Sequence, residues 1–220
     1  MKFKKPKFWD LKKPNFLSFL LLPFTIPIKV NNFFLDRKSK RKTEKIKTVC
    51  VGNIYVGGTG KTPTTIELYN ILRDLKIRVC IGKKFYPKHS DEIMLLQKKT
   101  ELISLENRKK IISAGIDKNY DLLIFDDGLQ DKSVSYNLEF VCFDDESWIG
   151  NGNLLPAGPL REKISSIKKY DAIFLKNNNN QDIYIEDLIK KINPDIKIFK
   201  TSYEISNIEN FNLSDNYLIF

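Results

Sequence analysis

The sequence predicts an α/β fold, a mostly parallel sheet with helices on both faces, preceded by an N-terminal segment of different character. Three observations carry this. From residue 48 onward, short apolar and β-branched runs alternate with segments of helical period. A glycine-rich turn, VGGTGKT at 56–62, separates the first such run from the first helical segment. The charge divides sharply: residues 1–47 hold 14 Lys/Arg against Asp10, Asp36 and Glu44, a net of +11, while residues 48–220 hold 23 against 24 acids. The near-neutral second part argues against a nucleic-acid-binding body, which would spread basic residues over a folded face. Two regions are therefore expected, 1–47 and 48–220.

Each element of the second region has its own justification. TVCVGN (48–53) is a β-branched apolar run, and PTTIELYNILRDLK (63–76) lines up Ile66, Tyr69, Leu72 and Leu75 on one helical face. RVCI (78–81) reads as the second strand. DEIMLLQKK (91–99) and ENRKKIISAGI (106–116) read as helices around a short strand, ELISL (101–105). DLLIF (121–125), LEFVCF (138–143), DAIFL (171–175) and DIKIF (195–199) are further strands, and IEDLIKKI (185–192) is a helix. Cys50, Cys80 and Cys142 each lie inside a β-like run, which predicts buried free thiols in a reducing compartment. The sequence ends on an apolar run, NYLIF (216–220), with no polar tail, so its domain is expected to continue beyond Phe220.

The first region reads as basic-aromatic (MKFKKPKFWDLKK), then uncharged (FLSFLLLPFTIPI, 16–28), then basic again (RKSKRKTEKIK, 37–47). As a helix the uncharged part spans only about 20 Å against a hydrocarbon core of about 30 Å, and Pro23 and Pro27 are expected to break it. A transmembrane pass is disfavoured on those grounds. A signal peptide is disfavoured because no small-residue cleavage site follows. The expected state is an interfacial segment, with Phe8, Trp9 and the apolar run at the headgroup boundary and the lysines facing anionic lipid. The alternative is a hydrophobic helix packed on the body.

Four motifs carry chemistry. VGNIYVGGTGKTPTT (51–65) departs from G-x-x-x-x-G-K-[ST] at Tyr55, yet strand, glycine-rich turn and helix follow in the order a phosphate-binding loop requires. Gly57, Gly58 and Gly60 supply the permissive backbone, Lys61 a cation for the β/γ-phosphates, and Thr62 a hydroxyl for Mg²⁺. Pro63 falls in the first helical turn, where no intrahelical N–H is needed. The bland alternative is an ordinary glycine turn. DLLIFDDGLQD (121–131) puts Asp126 and Asp127 at a strand's C-terminal end, where α/β sheets bind ligands and a carboxylate can hold Mg²⁺; a solvated turn is the alternative. In KKFYPKHSDE (83–92), Ser90 or Asp91 reads by itself as a helix cap, and His89, the one histidine, says little alone. GNGNLLPAGPLRE (150–162) reads as surface punctuation or as a substrate-facing loop ending in Arg161 and Glu162.

Together, VGNIYVGGTGKTP, DDGLQ and GNGNLLPAGPLRE, in this order and spacing, closely resemble the tetraacyldisaccharide 4'-kinases of lipid A biosynthesis, and Phe8-Trp9, the proline-broken apolar N-terminus and SDE at 90–92 fit as well. The resemblance implies a P-loop NTPase-like core, a membrane-associated N-terminal helix and a smaller C-terminal part. It implies transfer of the γ-phosphate of ATP to the 4'-hydroxyl of a tetraacyldisaccharide 1-phosphate, with Mg²⁺, by a peripheral protein on the cytoplasmic face of the inner membrane, without an obligate protein partner. By motif, Val56, Gly57, Gly58, Thr59, Gly60, Lys61 and Thr62 would bind ATP, Thr62 with Asp126 and Asp127 the metal. Asp126 and Asp127 would also serve the phosphoryl site. Asp91 would be the general base, and Glu162 would line the active site. Three departures stand out. The family's RGYGG-like stretch is shortened here to GKKFYPKHSDE, Asp131 stands where a histidine usually follows DDGLQ, and the family continues past Phe220 with a segment whose histidine pairs with the base. The rival from another class is a membrane-surface P-loop ATPase or switch that modifies no lipid. A GTPase form of it would want N-K-x-D where FLKNNNN stands.

Overall fold

The computed structural model describes residues 5–37, 45–86, 90–131, 133–177 and 182–203. His89 and the apolar run 216–220 lie outside these residues. Seven strands form one parallel sheet: β1 (Lys47–Gly52), β2 (Val79–Lys84), β3 (Leu102–Leu105), β4 (Leu122–Asp126), β5 (Leu138–Asp144), β6 (Ala172–Lys176) and β7 (Lys197–Thr201). Their order is β3-β2-β4-β1-β5-β6-β7. From central β1 the chain runs out to one edge and returns as β4, then continues to the other edge. The crevice at the C-terminal ends of β1 and β4 is thus the switch point at which such sheets bind ligands.

Strand alternation sorts the core into two layers. Cys50, Leu123 and Phe125 pack with Ile111 of α5 (Arg108–Asp117) and Ile189 of α6 (Asp182–Ile192). Their neighbours Val51, Ile81 and Ile124 pack on the other face with Tyr69 of α3 (Lys61–Asp74) and Leu96 of α4 (Ser90–Lys99). Every one of these side chains is buried, and each fully buried aliphatic contributes about 1.5–3 kcal/mol. The three cysteines are buried free thiols, and burial pushes the Cys142 thiol up to about 12.

The N-terminal segment departs from the sequence expectation. The prolines do not end the helical run: α1 (Phe16–Leu21) passes through a 3₁₀ turn at Leu22–Thr25 into α2 (Ile26–Arg37). Pro23 and Pro27 each fall at the start of a new segment, where the missing N–H costs nothing. The resulting run, Phe16–Phe34, has 19 residues and is long and apolar enough to cross a membrane by length and composition. The argument from a 13-residue length therefore fails. Its facing is inverted relative to a core helix. Ser18 and Thr25, seven residues apart, are buried, and Ser18 Oγ accepts from Asn151 Nδ2 at 2.8 Å. Asn32, a further seven on, donates to the Arg161 carbonyl at 2.9 Å. Phe16, Phe19, Leu20, Phe24 and Phe34 are exposed. The small polar stripe docks on the body and the apolar stripe faces out.

A second anchor precedes it. Trp9 is buried, with Nε1 donating to the Pro156 carbonyl at 3.0 Å, and Asn151 N donates to the Trp9 carbonyl at 2.9 Å. Gly150 makes this approach possible: its φ is +55°, and a Cβ there would lie 2.1 Å from the Trp9 oxygen. Gly150→Ala should therefore unseat the Trp9 anchor and lower thermal stability by about 1–3 kcal/mol, read as a reduced melting temperature together with faster proteolysis near Trp9. An unchanged melting temperature and cleavage pattern would show that the anchor adds nothing.

Candidate active site

The glycine-rich turn begins at the end of β1 and leads into α3, which starts at Lys61. Gly60 caps the helix at φ +77°, a left-handed conformation that glycine adopts without strain. Buried Asn53 braces the turn from beneath, donating to the Gly57 carbonyl at 3.2 Å and to Thr59 Oγ1 at 3.0 Å. Val56 N donates to the Pro159 carbonyl at 2.9 Å, and Arg161 N to the Ile54 carbonyl at 2.7 Å, which ties the turn to the 150–162 loop. Tyr55, the departure from the motif, is buried. Its hydroxyl donates to Asp10 Oδ1 at 2.6 Å and accepts from Lys5 Nζ at 3.0 Å, so this side chain joins the N-terminal segment to the loop.

A cavity of about 440 Å³ opens above the turn, lined by residues 57–63 and by Glu92, Asp127, Arg161, Lys176 and Tyr203. It holds the backbone and the lysine that a triphosphate needs, at a helix N-terminus that favours anions. Two further cavities adjoin it. One, of about 440 Å³, runs along α3 between Leu68, Ile71, Phe174 and Tyr203 and has a largely apolar wall. The other, of about 400 Å³, lies across Glu92, Asp127 and Arg161 and is charged, with Lys84, Tyr86, Arg108 and Asp131 on its far side.

The register places Val51 of β1 opposite Asp126 of β4, so the strand-end aspartates arrive beside the turn. Asp126 is buried, and its Oδ2 accepts from Thr62 Oγ1 at 3.1 Å. Its Oδ1 is buried with no hydrogen-bond partner among the described residues. An orphaned carboxylate oxygen next to the helix-opening hydroxyl fits Mg²⁺, which takes one or two carboxylates and completes its shell with phosphate and water. Among the described residues no group of three or more His, Cys, Asp and Glu side chains forms an all-protein metal site, and a nucleotide-borne Mg²⁺ does not need one.

Asp127 sits at φ +61°, a conformation costly for a non-glycine residue and held here by several bonds. Its N–H donates to the Val51 carbonyl at 2.9 Å, and its carbonyl accepts from Arg108 Nη2. Its Oδ1 lies 3.5 Å from Arg161 Nη1, which also donates to Gln130 Oε1 at 3.2 Å. The Asp131 carboxylate, where a histidine was expected, takes the other end of the buried Arg108 guanidinium. Burial would raise the Asp131 carboxyl, but the hydrogen bonds from Ser133 and the Arg108 charge outweigh it and hold it below the usual carboxylate range. A carboxyl lowered by folding stabilises the fold above its unfolded value of about 4 and loses that contribution as pH falls through its folded value. Wild type should accordingly lose up to about 1 kcal/mol in this acid range, a loss that Asp131→Asn would flatten. Superimposable acid melting curves for the two proteins would remove the clamp from the account.

Two other expected site residues lie differently. Glu162 is buried away from the phosphate cavity. It accepts from Gln130 Nε2 at 2.9 Å and from Tyr170 Oη at 3.0 Å, and it lines a cavity of about 270 Å³ beneath Asn32 and Phe33. It thus supports the Gln130–Arg161 contact and is not among the residues lining the cavity above the turn. Asp91 is exposed in the first turn of α4, while Glu92 beside it lines both the phosphate and the charged cavity. The helix begins at Ser90, so the capping reading of Ser90 or Asp91 gives way to positions inside the first turn. Asn53, Lys83, Arg108 and Arg161 are the site-forming residues that motif reading left out. Arg161 alone carried a signal, as the charged end of the 150–162 loop.

The comparisons with known proteins identify the family and the fold. Residues 16–89 and 87–216 match the family described as tetraacyldisaccharide-1-P 4'-kinase. The chain belongs to the tetraacyldisaccharide 4'-kinase family. It is 49% identical over 222 residues to the tetraacyldisaccharide 4'-kinase of Pelagibacter ubique (strain HTCC1062), covering all of this chain and 70% of that one. It is 33% identical over 195 residues to the tetraacyldisaccharide 4'-kinase of Rickettsia akari (strain Hartford), covering 81% and 59%. Among solved structures it is similar to the LpxK of Aquifex aeolicus in complex with ATP, with a TM-score of 0.66 and 26% identity over 84% of this chain and 64% of that one. The signal recognition particle receptor FtsY of Elizabethkingia anophelis, at 11% identity and a TM-score of 0.51, shares the fold alone. This family member thus spans roughly three-fifths to seven-tenths of the length of these kinases.

Proposed function

We propose that the chain transfers the γ-phosphate of ATP to the 4'-hydroxyl of a tetraacyldisaccharide 1-phosphate. The observation that carries this reading is that Lys61, Thr62, Asp127 and Arg161 line one cavity, with Asp126 hydrogen-bonded to Thr62 behind its wall, in a member of this family. In the reading, the backbone of residues 56–60 and Lys61 hold the phosphates, and the base enters the cavity along α3. Thr62 and Asp126 would hold Mg²⁺, whose positive charge supports negative charge developing on the phosphoryl oxygens. Arg161, held by Gln130 and Asp127, presents a guanidinium to the same oxygens. Asp91 is the residue proposed to accept the sugar hydroxyl's proton, and Asp127 positions the phosphoryl site. Phosphoryl transfer depends more on positioning and charge neutralisation than on the base.

The proposed location is the cytoplasmic face of the inner membrane, peripheral. The outward apolar stripe of the N-terminal helices supports it, together with the surplus of Lys and Arg in residues 1–47. Docking of the opposite stripe through Ser18 and Asn32 favours a helix lying in the interface over one crossing it. The acceptor disaccharide would then reach the charged cavity from the lipid surface.

The test is the dependence of ADP release on the acceptor. With Mg²⁺·ATP, release should be negligible alone and rise with tetraacyldisaccharide 1-phosphate in mixed micelles. Steady ADP release indifferent to the disaccharide would move the reading to an ATPase or switch.

A further inference from the structure

We propose that Lys83 is a built-in counter-ion of the Asp126 carboxylate: its ammonium neutralises the metal seat while the nucleotide site is empty and yields it when Mg²⁺ arrives with ATP. The inference rests on the kinase reading only for the arrival of Mg²⁺·ATP. The arrangement in the empty site stands on geometry.

The sheet register accounts for the encounter. β2 pairs with β4 through Ile81 opposite Ile124 and Gly82 opposite Phe125, so the next step brings Lys83 beside Asp126. Ile81 and Ile124 both face the α3 and α4 layer, and alternation sends Lys83 and Asp126 to that same face. There α3 contributes Thr62 and α4 contributes Glu92. The Lys83 Nζ lies 2.6 Å from Asp126 Oδ2 and 2.7 Å from Glu92 Oε2. Both the lysine and Asp126 are almost wholly removed from water, with side-chain exposures of 6% and 0%. A lysine is rarely buried so deeply unless it is paired. Burial would lower its proton affinity, but the charge and hydrogen bond of Asp126, reinforced by Glu92, outweigh that and leave it raised.

The ammonium therefore occupies the same oxygen, Asp126 Oδ2, that the Thr62 hydroxyl touches, while Oδ1 is left without a partner. A divalent ion binding either oxygen of this carboxylate meets a fixed positive charge a few ångströms away in a water-poor setting, where repulsion is poorly screened. Free Mg²⁺ should consequently bind the empty site weakly. Triphosphate charge at the adjoining turn reverses the balance, since it attracts the metal and offers the ammonium an alternative partner. Glu92, at the rim with half of its side chain exposed, is the second hold that keeps Lys83 in place during the exchange. It also ties the first turn of α4, which carries Asp91, to β2 and, through Lys83, to Asp126 at the end of β4.

The experiment titrates Mn²⁺, as a paramagnetic stand-in for Mg²⁺, into nucleotide-free protein and reads free Mn²⁺ by electron paramagnetic resonance. Lys83→Met should bind Mn²⁺ at least roughly tenfold more tightly than wild type, and Lys83→Arg, which keeps the charge, should match wild type. Equal affinities in wild type and Lys83→Met overturn the proposal. A second measurement needs no neutral variant. The ammonium resonance of Lys83 in ¹⁵N-labelled wild type, assigned with Lys83→Arg, should be slow to exchange without nucleotide and should move on adding Mg²⁺ with a non-hydrolysable ATP analogue. A resonance that stays put on that addition also overturns it. Failure of wild type to bind the analogue in a calorimeter would count against the kinase reading instead, leaving the Mn²⁺ comparison to decide the counter-ion.

Discussion

Asp126→Asn is expected to lose stability and activity together, and a second substitution should then separate the two losses. Asp126 is fully buried against the Lys83 ammonium, and removing one member of a buried pair leaves the other uncompensated. The cost should be about 3 kcal/mol, at the low end for such pairs because Glu92 still holds the lysine. The same change removes the carboxylate that faces Thr62 and should lower kcat on the order of 10²–10³-fold. Combining it with Lys83→Met removes the stranded charge. The double variant should regain most of the melting temperature and none of the activity, because the two sites are in contact and their effects do not add. Recovery of activity in the double variant would mean that Asp126 matters only to folding.

Lys61→Met is the complementary case. Lys61 opens α3 on the cavity wall and is only partly buried, so the fold should be unaffected. Turnover should fall by on the order of 10³-fold, since a preorganised cation on the transferring phosphoryl group is among the largest single contributions to such catalysis. ATP affinity should weaken far less, as the backbone donors of the turn remain. A variant with normal turnover and weak ATP binding would reassign Lys61 to ground-state binding.

How much of this was legible beforehand differs by element. The strands and helices after residue 48 were, because buried parallel strands are continuous apolar runs and the helices carry periodic faces. The phosphate turn and the strand-end aspartates were as well, since each is a local pattern. The partners of those residues were not. Lys83 meets Asp126 across 43 positions of sequence and Arg108 meets Asp131 across 23, and such meetings are set by sheet register, which one-dimensional patterning does not contain. Arg108 lay inside a segment read only as helix, and Lys83 fell just past the strand read at 78–81, although β2 extends to Lys84. The N-terminal helices misled for a different reason. Their prolines were weighed as breakers in a single helix, whereas each opens a fresh segment. The docked polar stripe of Ser18, Thr25 and Asn32 is sparse enough to vanish inside an apolar run. Tyr55 looked like a flaw in the phosphate loop and is the point where the N-terminal segment is fastened to it.

One measurement bears most directly on whether this cavity is a lipid kinase site. ATP labelled on its γ-phosphate is incubated with the purified chain, Mg²⁺ and tetraacyldisaccharide 1-phosphate, and the label is followed through lipid extraction and mass analysis. The account expects the label in a lipid product one phosphate heavier, esterified at the 4' position, with none formed by Lys61→Met. Label remaining in ATP, or appearing only as inorganic phosphate, would contradict it.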